Sequence, residues 1–236
     1  MSDTIEVSNL CKSFRVEDRE LEVLKNLNLT VPANEITVLL GRSGCGKTTL
    51  LRLIGGLDKD YTGTITIPRN TRPAFVFQEA RLMPWLTVSQ NIAFGLKKKD
   101  LDPKAIQALI SLTGLEGFAD ALPRQLSGGM QQRTALARAL ALDPGFILMD
   151  EPFAALDHFT REKMQQVLLD IHRQNRCGVL FVTHSIDEAL AIADRIVILE
   201  NHQAKKAYPV GDHWRHSCSE EDRRALRQDI LSSIQL

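Results

Sequence analysis

The chain has 236 residues, enough to bury a full core in one or two domains. Lys plus Arg and Asp plus Glu both number 29, so the formal net charge is zero and no broad basic field is available for nucleic acid. No apolar stretch approaches the ~18 residues of a membrane span, the N-terminus lacks a signal-peptide core, and four cysteines (Cys11, Cys45, Cys177, Cys218) without paired or metal-ligand spacing suit a reducing compartment.

Residues 4–31 carry short, partly alternating runs: Ile5-Glu6-Val7, Leu21-Glu22-Val23-Leu24 and Leu27-Asn28-Leu29. Thr64-Ile65-Thr66-Ile67 alternates too, and alternation marks strands with one wet face, so a small, mostly antiparallel sheet is predicted. Ile36-Thr37-Val38-Leu39-Leu40 is instead continuously apolar, as in a strand covered on both faces. It feeds Gly41-Arg42-Ser43-Gly44-Cys45-Gly46-Lys47-Thr48, which fits G-x-x-x-x-G-K-[ST], and a helix-like run from Thr49 to Gly56 follows. Each residue type has a reason. Glycines let backbone N–H groups wrap the β-phosphate without a Cβ clash, Lys47 reaches the β/γ-phosphates, and the Thr48 hydroxyl ligates Mg²⁺. Residues 41–49, Thr49 included, are therefore expected to bind a nucleoside triphosphate. Cys45, inside the loop and near the helix N-terminus, is expected to favour its thiolate.

Three later apolar runs end in polar groups. Ala74-Phe75-Val76-Phe77 ends at Gln78, Phe146-Ile147-Leu148-Met149 at Asp150-Glu151, and Val179-Leu180-Phe181-Val182-Thr183 at His184. Ile196-Val197-Ile198-Leu199 makes a fifth run. Lengths of about four to six residues favour strands over buried helix, and groups at the C-terminal edge of a parallel sheet face its ligand crevice. Residues 87–142 look helical, with Asn91, Ile92 and Leu96, then Ile106, Leu109 and Ile110, then Gly129 to Leu142. They read as an insertion between the strands ending at Gln78 and Asp150. Inside it, Leu126-Ser127-Gly128-Gly129-Met130-Gln131-Gln132-Arg133 puts a capping serine and two bare amides at a helix N-terminus. That is a plain N-cap or an anion site. Its place about twenty residues before the run ending in Asp150-Glu151 favours the second. The tail, about 202–236, is expected to be helical, ending in Ser219-Glu220-Glu221-Asp222 with Leu226, Ile230, Leu231 and Ile234 on a face that packs back on the core.

The phosphate loop, Gln78, the LSGGM signature, the Phe146-to-Glu151 run, Ala155-Leu156-Asp157 and His184 occur in that order. Over essentially residues 4–200 this resembles the ATP-binding cassette subunit of ABC transporters. The resemblance implies an α/β P-loop NTPase (RecA-like) core with an antiparallel β-subdomain and an inserted helical subdomain, about 87–142, within one cassette domain, 1–236. It further implies that Asp150 holds Mg²⁺ through water, with Thr48 and Gln78, and that Glu151 polarises the attacking water as general base. Gln78 becomes the Q-loop residue, and His184 the switch histidine that contacts the γ-phosphate and orients Glu151. Phe14 stacks on adenine or, alternatively, belongs to the β-subdomain core. In this family the signature completes the opposite subunit's site. A homodimer with two composite sites follows, in which Ser127, Gly128 and Gly129 contact ATP held by the partner's Lys47, and Asp157 lies at the interface.

Arg81-Leu82-Met83-Pro84-Trp85-Leu86-Thr87-Val88, Asn91-Ile92-Ala93-Phe94-Gly95-Leu96 and Thr183-His184-Ser185-Ile186-Asp187-Glu188-Ala189 resemble the nitrate/sulfonate/taurine importer group, which includes thiamine-precursor importers. This implies two integral membrane permease subunits, a solute-binding protein acting indirectly, no nucleic acid, and a peripheral position on the cytoplasmic face of the inner membrane. The Leu-Met-Pro-Trp patch is either a groove for a partner's coupling helix or a local hydrophobic cluster. Arg42 stands where proline or histidine is frequent, and Ala154 where serine or glycine is; neither removes a required group. Two other classes stay open. One is a mechanical complex for cell division or lipoprotein release, whose flavour Gly55-Gly56-Leu57-Asp58 shares. The other is a soluble DNA-repair or translation ATPase, which usually carries two cassettes or a coiled-coil insertion.

Overall fold

The computed structural model describes residues 3–234 apart from 18, 70, 155, 176, 212, 213 and 215–217. A three-stranded antiparallel sheet is built from β1 (Thr4–Val16), β2 (Arg19–Pro32) and β4 (Thr62–Thr66), in the order β2-β1-β4. A six-stranded sheet holds β3 (Ile36–Leu40), β5 (Ala74–Val76), β6 (Phe146–Asp150), β7 (Gly178–Thr183), β8 (Arg195–Glu200) and β9 (Gln203–Pro209). Its order is β5-β6-β7-β3-β8-β9, parallel except for β9. The α-helices include α1 (Lys47–Ile54), α2 (Val88–Ala93), α3 (Pro103–Leu112), α4 (Gly128–Leu140), α5 (His158–Asn175), α6 (Ile186–Ile192) and α7 (Glu220–Ile234).

Every residue of β3, β6 and β7 is buried, because the two-residue period of a strand feeds two separate cores. Ile36, Val38, Leu40, Ile147, Met149, Val179 and Phe181 pack with Met164 and Leu168 of α5, Ala189 and Ile192 of α6, and Ile230 of α7. Leu39, Leu148, Leu180 and Val182 turn the other way, onto Leu50, Leu51 and Ile54 of α1 and onto the small sheet. A third cluster joins Val88 and Ile92 of α2, Ile110 of α3 and Ala137 of α4.

Register decides where chemistry gathers. Leu40 pairs with Thr183, and Asp150 with Val182, so the strands end level with one another. The residues that follow them therefore emerge along a single edge.

One expectation fails in the tail, which is not helical from about 202. Residues 203–209 form β9, an edge strand antiparallel to β8. The two-residue turn Asn201-His202 joins them, with φ of 46° and 69°, the left-handed pair that a tight hairpin of this type needs. Further along, at the start of α7, the Ser219 hydroxyl accepts from the Asp222 amide at 3.1 Å. As expected, this helix packs back on the core. Ile230 is fully buried, Asp229 pairs with Lys206 at 2.7 Å, and Tyr208 meets Ser233 at 2.9 Å.

Candidate nucleotide site

Between β3 and α1 the chain is squeezed by its neighbours. Gly46 caps α1 with φ of 102°, and a Cβ there would lie 2.7 Å from the Val23 carbonyl and 2.8 Å from Leu24. A Cβ at Gly41 would strike the Leu199 carbonyl. Lys47 is buried, and its Nζ donates to the carbonyls of Gly41 and Arg42, both at 2.8 Å, so the ammonium is solvated by its own loop. A cavity of about 310 Å³ opens here, lined by Val23, Ser43, Gly44, Gly46, Lys47, Thr48, Thr49 and Glu151.

The adjacent carboxylates separate. Asp150 accepts from the Thr48 hydroxyl at 2.9 Å. Burial pushes its carboxyl pKa upward; the Thr48 hydrogen bond pulls it back, and the neighbouring Glu151 charge adds to the rise. Glu151 turns away with φ of 43°, a left-handed conformation that costs a non-glycine residue about 1 kcal/mol or more. Its amide donates to the Val182 carbonyl at 3.0 Å, which holds the turn. Its side chain meets His184 Nδ1 at 3.0 Å, although 33 residues separate them.

The other expected residues stand outside this cavity. Gln78, exposed, follows β5 beyond Phe77. Phe14 lies on β1 opposite Leu21, 40% exposed, with Lys12 Nζ 4.7 Å over its ring. It is no core residue, so that alternative falls. Ser127 caps α4 by accepting from the Met130 amide at 3.3 Å, and space around Gly128 is open. Asp157 accepts from the Thr160 amide at 3.1 Å, and Thr160 holds its carboxyl below the usual range.

Sequence reasoning missed the residues that tie the signature helix to the Gln78 loop. Gln132 of α4 donates to the Phe77 carbonyl at 2.8 Å, and Arg138 to those of Ala80 and Arg81, both at 2.9 Å. In the sequence Asn91 marks a helical run and opens the importer-like stretch 91–96, and neither announces what its side chain does. Fully buried, it donates to the carbonyls of Met83, Leu86 and Thr87 and accepts from the Met83 amide. The turn it pins carries Trp85, which is 72% exposed, so Trp85 is not part of a local core.

The thiolate expected at Cys45 is not favoured. Burial pushes this thiol's pKa up, and the Lys47 charge, with Nζ 3.8 Å from Sγ, opposes the rise only in part. Maleimide should label Cys45 more slowly than a free thiol, with a rate still rising above pH ~8.5, where an ordinary cysteine levels off. Cys45→Ser should keep ATP hydrolysis. Mass spectrometry finding Cys45 labelled at the rate of a free thiol near neutral pH would refute this.

A glycine-rich loop between strand and helix, a strand-end aspartate on its threonine and an adjoining Glu–His pair define a P-loop nucleotide-hydrolase site. The profile of the family described as ABC transporter matches residues 24–154, and the chain belongs to that family. It is 43% identical over 244 aligned residues to the aliphatic sulfonates import ATP-binding protein SsuB of Bacillus subtilis (strain 168), spanning 100% of this chain and 95% of that protein. It is 50% identical over 177 residues to the aliphatic sulfonates import ATP-binding protein SsuB 2 of Pseudomonas syringae pv. tomato, spanning 75% of each. Among solved structures, it resembles a dimeric post-hydrolysis state of the ATP-binding cassette MJ0796 bound to ADP and Pi. The TM-score is 0.79 at 33% identity, covering 87% of this chain and 98% of that one.

Proposed function

We propose that this chain is the ATP-binding and hydrolysing subunit of an ABC importer of the nitrate/sulfonate/taurine type, coupling hydrolysis to solute uptake through separate membrane permease subunits. The observation that carries hydrolysis is the Glu151–His184 pair at 3.0 Å, with Glu151 lining the phosphate-loop cavity. Relatives named as import ATP-binding proteins favour import over the mechanical and soluble alternatives.

In this reading the amides of residues 41–49 and Lys47 bind the phosphates, and Phe14 stacks on adenine. Mg²⁺ fits the donor set, because the Thr48 hydroxyl and Asp150 carboxylate are hard oxygens lying 2.9 Å apart. Among the described residues no group of three or more His, Cys, Asp and Glu forms a metal cage, as suits an ion held largely by water and phosphate. Thr48 and Asp150, with Gln78, would hold it; when bound, it neutralises charge on the phosphate oxygens. Glu151 orients the attacking water and accepts its proton, while His184 fixes the Glu151 carboxylate.

The signature stands outside its own chain's cavity, so Ser127, Gly128, Gly129 and Asp157 complete the site of a second copy. Among the described residues no helix is long and apolar enough to cross a membrane. The cassette, 1–236 with its helical part at about 87–142, sits peripherally on the cytoplasmic face of the inner membrane, bound to two permease subunits. A solute-binding protein acts with it only through them.

Trp85 is the expected anchor for the permease. Trp85→Ala should weaken permease binding by about 2 kcal/mol or more, roughly 30-fold, and abolish permease-stimulated hydrolysis. Because the ring is exposed, melting temperature and basal hydrolysis should stay near wild type. Unchanged permease affinity, read by titration in detergent or nanodiscs, would refute the docking role.

A further inference from the structure

Between the turn that carries His184 and the segment leading to Asp157 lie polar groups, two of them buried, that the reaction itself does not use. At the end of β7, Thr183 is buried, and its Oγ1 accepts from the Ser185 amide at 3.0 Å, closing the turn around His184. The Ser185 hydroxyl accepts from the Glu188 amide at 3.3 Å and starts α6. Glu188 is itself only 7% exposed. Its carboxylate lies beside the side chains of Thr183 and Gln165 and in the fields of Arg161 and His184. Arg161, in the first turn of α5, donates from Nη2 to the Leu156 carbonyl at 2.7 Å and from Nε to that of Phe153 at 3.4 Å. Those carbonyls belong to the stretch between Glu151 and Asp157.

An acidic residue in the first turn of a helix is common, since it complements the dipole, but that role needs no burial. Burial makes the charged carboxylate costly, and such a group is retained where its partners fix one arrangement. Here the neighbours are the hydroxyl that shapes the His184 turn and, acting through its field, the guanidinium that grips the next loop. We propose that Glu188 is a positioning residue for ATP hydrolysis. It clamps the Thr183-His184-Ser185 turn so that His184 stays on Glu151, and through Arg161 it couples that turn to residues 153–157. This rests on the catalytic reading of Glu151 and His184. A shift of about 1 Å in the turn would lengthen the 3.0 Å contact beyond hydrogen-bond reach, and errors of that size typically cost about 100-fold in rate.

The test uses the full-length protein and steady-state hydrolysis beside binding of a non-hydrolysable ATP analogue. Glu188→Ala should lower kcat about tenfold or more and leave analogue affinity within about twofold. Glu188→Gln keeps an oxygen for Thr183 but loses the charge facing Arg161, so it should fall between. In a His184→Ala background, Glu188→Ala should cost nothing further, because its effect passes through His184. Thr183→Val removes the clamping hydroxyl while keeping Glu188, should lower kcat in the same way, and decides the matter if Glu188→Ala does not fold. An unchanged kcat in these variants, or a loss that simply adds to that of His184→Ala, overturns the proposal while the catalytic reading stands. Failure of the reading itself looks different: His184→Ala would then hydrolyse ATP at the wild-type rate, and the proposal would go with it.

Discussion

Glu151→Gln should stop turnover while ATP stays bound. The amide has nearly the same shape and fits the same left-handed backbone, so the turn held by the Val182 carbonyl is preserved. It still offers an oxygen to His184, but it cannot accept the proton of the attacking water. General-base removal typically costs about 10²- to 10⁴-fold, and a loss in kcat of that size is expected. Lys47, Thr48 and the loop amides are untouched, so nucleotide affinity should hold, and dimers closed on ATP should accumulate in size-exclusion runs. Hydrolysis near the wild-type rate would move the base to another residue. Asp150 is a poor substitute, because its carboxylate is committed to the Thr48 hydroxyl.

Mixing two dead variants should restore activity. Ser127 caps its own helix, and neither it nor Gly128 or Gly129 lines the cavity at Lys47 of the same chain. If each site borrows a signature from a second copy, Lys47→Ala and Ser127→Arg should each be inactive alone. Random mixing makes half the dimers mixed, each with one site of intact loop and intact signature, so about a quarter of wild-type activity should return. Ser127→Arg also removes an N-cap worth about 1 kcal/mol, so its folding must be checked by melting temperature. For the same reason, the specific activity of the wild type should rise with protein concentration. Mixed dimers proven by affinity tags yet still inactive would overturn independent composite sites.

What could be read from the chain alone was local. Five consecutive apolar residues at 36–40 suffice for a strand covered on both faces, and the spacing from Gly41 to Thr48 suffices for a phosphate loop, because both patterns act over a few bonds. The alternation in residues 4–31 likewise announced an antiparallel sheet. Strand β9 escaped because Lys205-Lys206 breaks the alternation and the turn Asn201-His202 lacks the glycine that usually signals a tight hairpin. Cys45 misled for the opposite reason. A helix N-terminus is a local feature that favours the thiolate, whereas burial comes from chain segments far away in sequence and outweighs it. The turn that presents Trp85 is pinned by one buried asparagine, which donates three hydrogen bonds and accepts a fourth, and nothing in the spacing of residues 83–91 announces them. The pairing of His184 with Glu151 was expected only by resemblance. It exists because parallel register brings the ends of β6 and β7 level, and register is set by how two cores pack on opposite faces of the sheet. Residue types and short spacings thus name the chemistry, while the distances at which it operates arise only when strands remote in sequence are packed side by side.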